Sequence, residues 1–77
     1  MNLSRHLPRF TEYRYWSPQL GCAAVRISAW DRNGSEFYMI VEDAEPGEAW
    51  REIRDHALQA IDQAISAGLE PGEVRTR

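Results

Sequence analysis

The chain has 77 residues, a net charge of −3, nine basic residues that are all arginine, and one cysteine. A domain this small buries only about 60% of its unfolded surface, and Cys22 alone excludes an intramolecular disulfide or a cysteine-rich zinc site, which leaves close packing or self-association to hold the fold. No apolar run approaches the roughly 20 residues that span a bilayer, and Met1 to Pro8 lacks the apolar stretch of a signal peptide, so the cytoplasm is the expected location and no membrane contact is expected.

Residues 1–9 read as an N-terminal extension. Phe10 to Trp16, rich in aromatics, reads as a first strand, and Ser17-Pro18-Gln19 with Gly21 reads as the turn after it. Cys22 to Asp31 alternates Ala23, Val25, Ile27 and Ala29 with Ala24, Arg26, Ser28 and Trp30, which is the period of a strand. Asn33-Gly34 is a hairpin signal, and Glu36 to Asp43 forms the third strand.

Two registers are open to that hairpin. A two-residue loop at Asn33-Gly34 would pair Ile27 with Ile40 and split the apolar residues between faces. A three-residue loop, a type I turn with Gly34 left-handed in a bulge, pairs Ala29 with Phe37, Ile27 with Met39 and Val25 with Val41. One face then becomes wholly apolar. Because a one-residue slip exchanges the faces of a strand, burial favours the second register. Its opposite face carries Trp30, Tyr38 and Ile40, too large and apolar for a plain solvent face, and these three form a candidate face for a homodimer or another partner.

A long helix follows, beginning near Pro46, where proline suits the first helical position. Trp50, Ile53, Ala57, Leu58, Ile61, Ala64 and Ile65 recur at amphipathic spacing. Gly68 and Leu69 read as a left-handed cap with its hydrophobic contact, and Pro71 prevents continuation. This predicts about 22 residues, roughly 33 Å of helix. Residues 70–77 read as a flexible tail. The expected architecture is therefore α+β, a three-stranded antiparallel sheet followed by one long helix packed on one face, with residues 10–69 as a single domain.

Charge divides the chain. Residues 1–34 hold five arginines and two acids, whereas residues 35–77 hold ten acids and four arginines. Phosphate neutralisation supplies most nucleic-acid affinity, so direct nucleic-acid binding is not expected of the acidic half. The aromatics Tyr13, Tyr15 and Trp16, together with Arg5, Arg9, Arg14, Arg26 and Arg32, leave a single-stranded nucleic-acid binder as a further alternative. Glu36, Glu42, Asp43, Glu45, Glu48, Glu52 and Asp55 are the candidate partner-binding residues, an acidic surface suited to a basic partner.

Catalytic chemistry finds no foothold. Nucleophilic catalysis needs a nucleophile, a base and an orienting group; the serines and Cys22, with only His6 and His56 as bases, form no motif. Glu52 and His56 lie one helical turn apart, but two ligands are too few for structural zinc. Neither a catalytic residue, a metal nor a cofactor is expected, and the chain reads as non-enzymatic.

In size, charge and architecture, residues 10–68 resemble the small phage-encoded anti-CRISPR proteins. That resemblance implies a protein-binding inhibitor acting in a bacterial host cell, its acidic surface set against the nucleic-acid-binding residues of a Cas subunit as a DNA mimic. Separately, Pro46-Gly47-Glu48-Ala49-Trp50 leading into Ala57-Leu58-Gln59-Ala60-Ile61 is similar to the helix entry of HicB-type antitoxins, which implies the alternative of an antitoxin-like homodimeric interaction module. The glycine-containing segment before the helix and the DNA-binding tail of that family are not found here.

Overall fold

A computed structural model describes residues 9–43 and 47–75. Most of the expected N-terminal extension, together with Glu45, Pro46 and the last two residues, lies outside the described residues. In chain order the elements are β1 (Phe10–Ser17), β2 (Cys22–Trp30), β3 (Glu36–Glu42), α1 (Glu48–Ser66) and β4 (Gly72–Glu73). The sheet order is β1-β2-β3-β4, antiparallel between the first three strands and parallel between β3 and β4.

Local hydrogen bonding sets both hairpins. After β1, the Ser17 hydroxyl accepts the Leu20 N–H at 3.2 Å and the Ser17 carbonyl accepts the Gly21 N–H at 2.8 Å. After β2, the Asp31 carboxylate accepts the N–H groups of Asn33 and Ser35, both at 2.9 Å. Gly34 donates its own N–H to the Asp31 carbonyl at 3.1 Å and sits at φ 80°, a conformation glycine adopts without a Cβ clash. Asp31 therefore pairs with Ser35 across a three-residue loop, and Ala29 meets Phe37, Ile27 meets Met39 and Val25 meets Val41. Of the two registers open to the sequence, the one that gathers the apolar side chains has formed.

That apolar face receives the helix. Val25, Ile27, Ala29 and Phe37 are buried against Trp50, Ala57, Leu58, Ile61 and Ala64, with Met39, Val41 and Ile53 at the margin. The 19 helical residues span about 28 Å at 1.5 Å each, shorter than the 22 expected because the described helix begins at Glu48, after Gly47. Its C-terminus closes as expected: Leu69 N–H donates to the Ala64 carbonyl and Gly68 N–H to the Ile65 carbonyl, both at 3.1 Å. This paired capping pattern satisfies carbonyls that have no partner within the helix.

The sheet has four strands rather than three. Beyond the cap the chain turns back beside β3, where Gly72 pairs with Phe37 and Glu73 with Tyr38, and Val74 N–H donates to the Tyr38 carbonyl at 2.7 Å. The stretch expected to be a flexible tail is thus partly an edge strand, and the helix is the crossover of a β–α–β unit. Apolar burial explains the docking: Val74 packs against the core cluster. A two-residue strand is too short to show any alternation.

Candidate interaction surface

The pleat of the strands directs alternate side chains to opposite faces. Since α1 covers one face, the other is left without a covering element among the described residues. Tyr13 and Tyr15 of β1, Arg26 and Trp30 of β2, and Tyr38 and Ile40 of β3 stand on it. Tyr13 is 64% exposed and Trp30 40% exposed, while Tyr15, Tyr38 and Ile40 are half-buried. A shallow depression runs among Tyr13, Tyr15, Leu20, Arg26, Ile40 and Arg75. The expected face of Trp30, Tyr38 and Ile40 is therefore brought together, and it is wider than those three residues.

Three of the aromatics make specific contacts on this face. Tyr13 and Tyr15 lie with ring centroids 5.7 Å apart and planes 18° from parallel. The Arg26 guanidinium lies 3.7 Å from the centre of the Tyr38 ring and donates to Glu36 Oε1 at 2.9 Å. The Ser28 hydroxyl is the larger influence holding the Glu36 carboxyl below its ordinary value; burial pushes the other way, and the Arg26 guanidinium, by hydrogen bond and charge, adds to the lowering. A cation fixed over a ring at this distance contributes on the order of 0.5–1 kcal/mol at exposed sites. Arg75 and Glu73 close a second pair at 3.1 Å on the same face. Both arginines on this face are thus paired, and among the described residues no basic groove for a phosphate backbone forms here.

The six acidic candidates among the described residues do not form one patch. Glu36, at the hairpin end of β3, and Glu42, at the other end, share the uncovered face by strand alternation. Glu36 is occupied by Arg26. Asp43 holds Arg14 Nε at 3.4 Å. Glu48 and Glu52 are exposed on the helix, on the opposite side of the sheet, and Asp55 lies 3.5 Å from Arg54. Glu45 lies outside the described residues. An acidic surface continuous from hairpin to helix is therefore absent among the described residues, for two reasons: the helix and the even-numbered residues of β3 look in opposite directions, and arginines of the first half fold onto two of the carboxylates.

Four contributors to the surface, Tyr13, Tyr15, Glu73 and Arg75, lie outside the face expected from the sequence. Tyr13 and Tyr15 share a parity, and pairing β1 with β2 sets them opposite Arg26 and Ala24, so the alternation of β1 carried the signal. Trp16 has the other parity and stands 65% exposed at the end of β1 on the helix side. Glu73 and Arg75 arrive only through β4, which the sequence conceals. Cys22 is half-buried at the start of β2. Among the described residues no group of three or more His, Cys, Asp and Glu side chains is placed to hold a metal ion, and no helix is long and apolar enough to cross a membrane. No family model, curated protein or solved structure matches the chain.

Proposed function

We propose that the chain is a non-enzymatic protein-binding module whose contact surface is the uncovered face of the sheet. The observation that carries this reading is the cluster of Tyr13, Trp30, Tyr38 and Ile40 on one face, whose two arginines, Arg26 and Arg75, each lie against a carboxylate. Tyr, Trp and Arg concentrate in the energetic centres of protein interfaces, because they combine large apolar area with few rotatable bonds and a polar tip. Phosphate binding would need a surplus of unpaired arginines, and Arg26 and Arg75 each have a carboxylate.

Inhibition of a Cas subunit by acidic mimicry is the narrower form of this reading. Among the described residues it would have to work through Glu48 and Glu52 on the helix and Glu42 on the opposite face, since Glu36, Asp43 and Asp55 each lie against an arginine. The sheet face is therefore the favoured surface. The test is capture of partners from cells of the source organism with the wild-type chain, with a Tyr13→Ser/Trp30→Ser variant and with a Glu52→Gln/Asp55→Asn variant, all three checked for equal thermal midpoints. A protein partner lost only by the first variant supports the reading. Loss only by the second variant, or retention of single-stranded nucleic acid in place of protein, contradicts it.

A further inference from the structure

The sheet has two edges, and they differ. On the β3 side, β4 and Val74 occupy the Phe37–Tyr38 segment, which leaves only the groups of Ile40 and Glu42 directed outward. On the other side β1 is paired along all eight residues with β2, has no bulge or proline, and meets no further strand among the described residues. The helix packs over β2 and β3, so it does not overhang this edge.

Which groups line the β1 edge follows from the ladder. Asp31 N–H donates to Ser35 and Asp43 N–H to Ala23, so the odd-numbered residues of β2 direct their backbone groups toward β3. Its even-numbered residues therefore face β1, and they bond Thr11, Tyr13, Tyr15 and Ser17. Phe10, Glu12, Arg14 and Trp16 are left with N–H and C=O pointing out of the sheet. A row of unpaired backbone groups of this kind is a template for another strand.

We infer that this edge pairs antiparallel with the β1 edge of a second copy, with the two-fold axis at Tyr13, to make one continuous eight-stranded sheet from two four-stranded ones. The sequence of β1 complements itself in that register. Glu12 falls opposite Arg14 of the second copy and Arg14 opposite its Glu12; Phe10 falls opposite Trp16, Thr11 opposite Tyr15, and Tyr13 opposite Tyr13. All the outward-pointing residues then meet in hydrogen-bonded pairs. Shifting the register by two residues, the smallest slip that keeps those groups paired, sets Glu12 against Glu12 or Arg14 against Arg14. Opposite charges across a strand pair stabilise and like charges destabilise, so charge selects the central register. Two such contacts related by a two-fold axis make a closed, isologous interface. Within one copy Glu12 and Arg14 are 3.8 Å apart, and the Arg14 side chain is still 54% exposed. Trp16, 65% exposed and in no aromatic ring pair among the described residues, gains an aromatic neighbour in Phe10 of the second copy. Charged edge residues also serve simply to keep strands apart; the self-complementary order is what distinguishes pairing from protection. The inference does not depend on the sheet face binding any partner, because it concerns the edge alone.

The register makes a sharp test. In a Cys22→Ala background, Tyr13→Cys is expected to form a disulfide-linked dimer under mild oxidation, because a non-hydrogen-bonded antiparallel pair brings its Cα atoms to about 4.5 Å, within disulfide range. Thr11→Cys and Tyr15→Cys are each expected to form no disulfide cross-link alone and to cross-link when mixed. Sedimentation is expected to show a concentration-dependent dimer, with Arg14→Glu raising its dissociation constant at least about tenfold and Glu12→Arg/Arg14→Glu restoring it. A chain that sediments as a monomer at all concentrations and gives no Tyr13→Cys dimer overturns the inference, as does cross-linking of Thr11→Cys or Tyr15→Cys alone to the same extent as Tyr13→Cys.

Discussion

Trp50 donates its indole N–H to Glu12 Oε1 at 3.0 Å, and this bond ties the first turns of the helix to β1, a strand that contributes little to the buried core beneath it. The Arg14 guanidinium lies 5.4 Å from the centre of the same indole ring and reaches Asp43 at 3.4 Å. One side chain thus gathers β1, the end of β3 and the helix start.

Trp50→Phe keeps most of the buried ring and removes the donor. It is expected to cost about 1 kcal/mol, the order for one hydrogen bond to a partly exposed charged group. Urea unfolding measures the loss. Fluorescence provides an internal check, since Trp16 and Trp30 are exposed and Trp50 is 9% exposed: the variant is expected to lose the blue-shifted part of the emission.

Ile61 is fully buried at the contact between helix and sheet. Ile61→Ala is expected to cost about 2–5 kcal/mol. A domain of this length is stable by only about 4–12 kcal/mol, so the variant should approach unfolding at 37 °C, and its calorimetric midpoint should fall by well over 10 °C.

The β2–β3 hairpin hangs on Asp31, whose carboxylate accepts two backbone N–H groups. Asp31→Ala is expected to cost about 1–2 kcal/mol. Gly34→Ala is expected to cost about 1–2 kcal/mol as well, because at φ 80° the added Cβ meets no neighbour and the strain lies wholly in the backbone. Equilibrium denaturation of the two variants checks both figures.

Acid should weaken the outer face through Glu36. Its carboxyl titrates below the ordinary value, chiefly because of the Ser28 hydrogen bond, so the folded state binds its proton less readily than the unfolded state does. The stabilisation from this group is therefore fully present above the unfolded carboxyl's value of about 4.3 and is lost as the pH falls through the lower folded value. Replacing Glu36 with Gln is expected to flatten the acid limb of the midpoint-versus-pH curve; an unchanged acid limb would count against the assignment.

Much of the fold could be read from the residues. The register of β2 on β3 was decided by Val25, Ile27 and Ala29 needing apolar partners, and the helix cap by Gly68 and Leu69. Two things could not. β4 is a pair of residues whose only apolar anchor is Val74, so no periodicity announces it. The acidic residues are neighbours in the chain but not in space: a strand that alternates faces and a helix packed on one of them send Glu36 and Glu52 in opposite directions, and Arg14 and Arg26 fold onto carboxylates distant in sequence. Segregation along a chain is not segregation on a surface. The aromatic face, by contrast, follows from alternation alone once β1 is paired.

The most direct test of the sheet face as the contact surface is site-specific photocrosslinking in cells of the source organism, with a benzophenone side chain placed at Trp30 or, as the comparison, at Glu52. Trp30 lies on β2, one strand away from the β1 edge, so an adduct there reports on the face rather than the edge, and its mass separates a foreign protein from a second copy. A protein adduct formed from position 30 and absent from position 52 is the predicted result. Adducts formed from position 52 alone would contradict the account and return the contact to the helix.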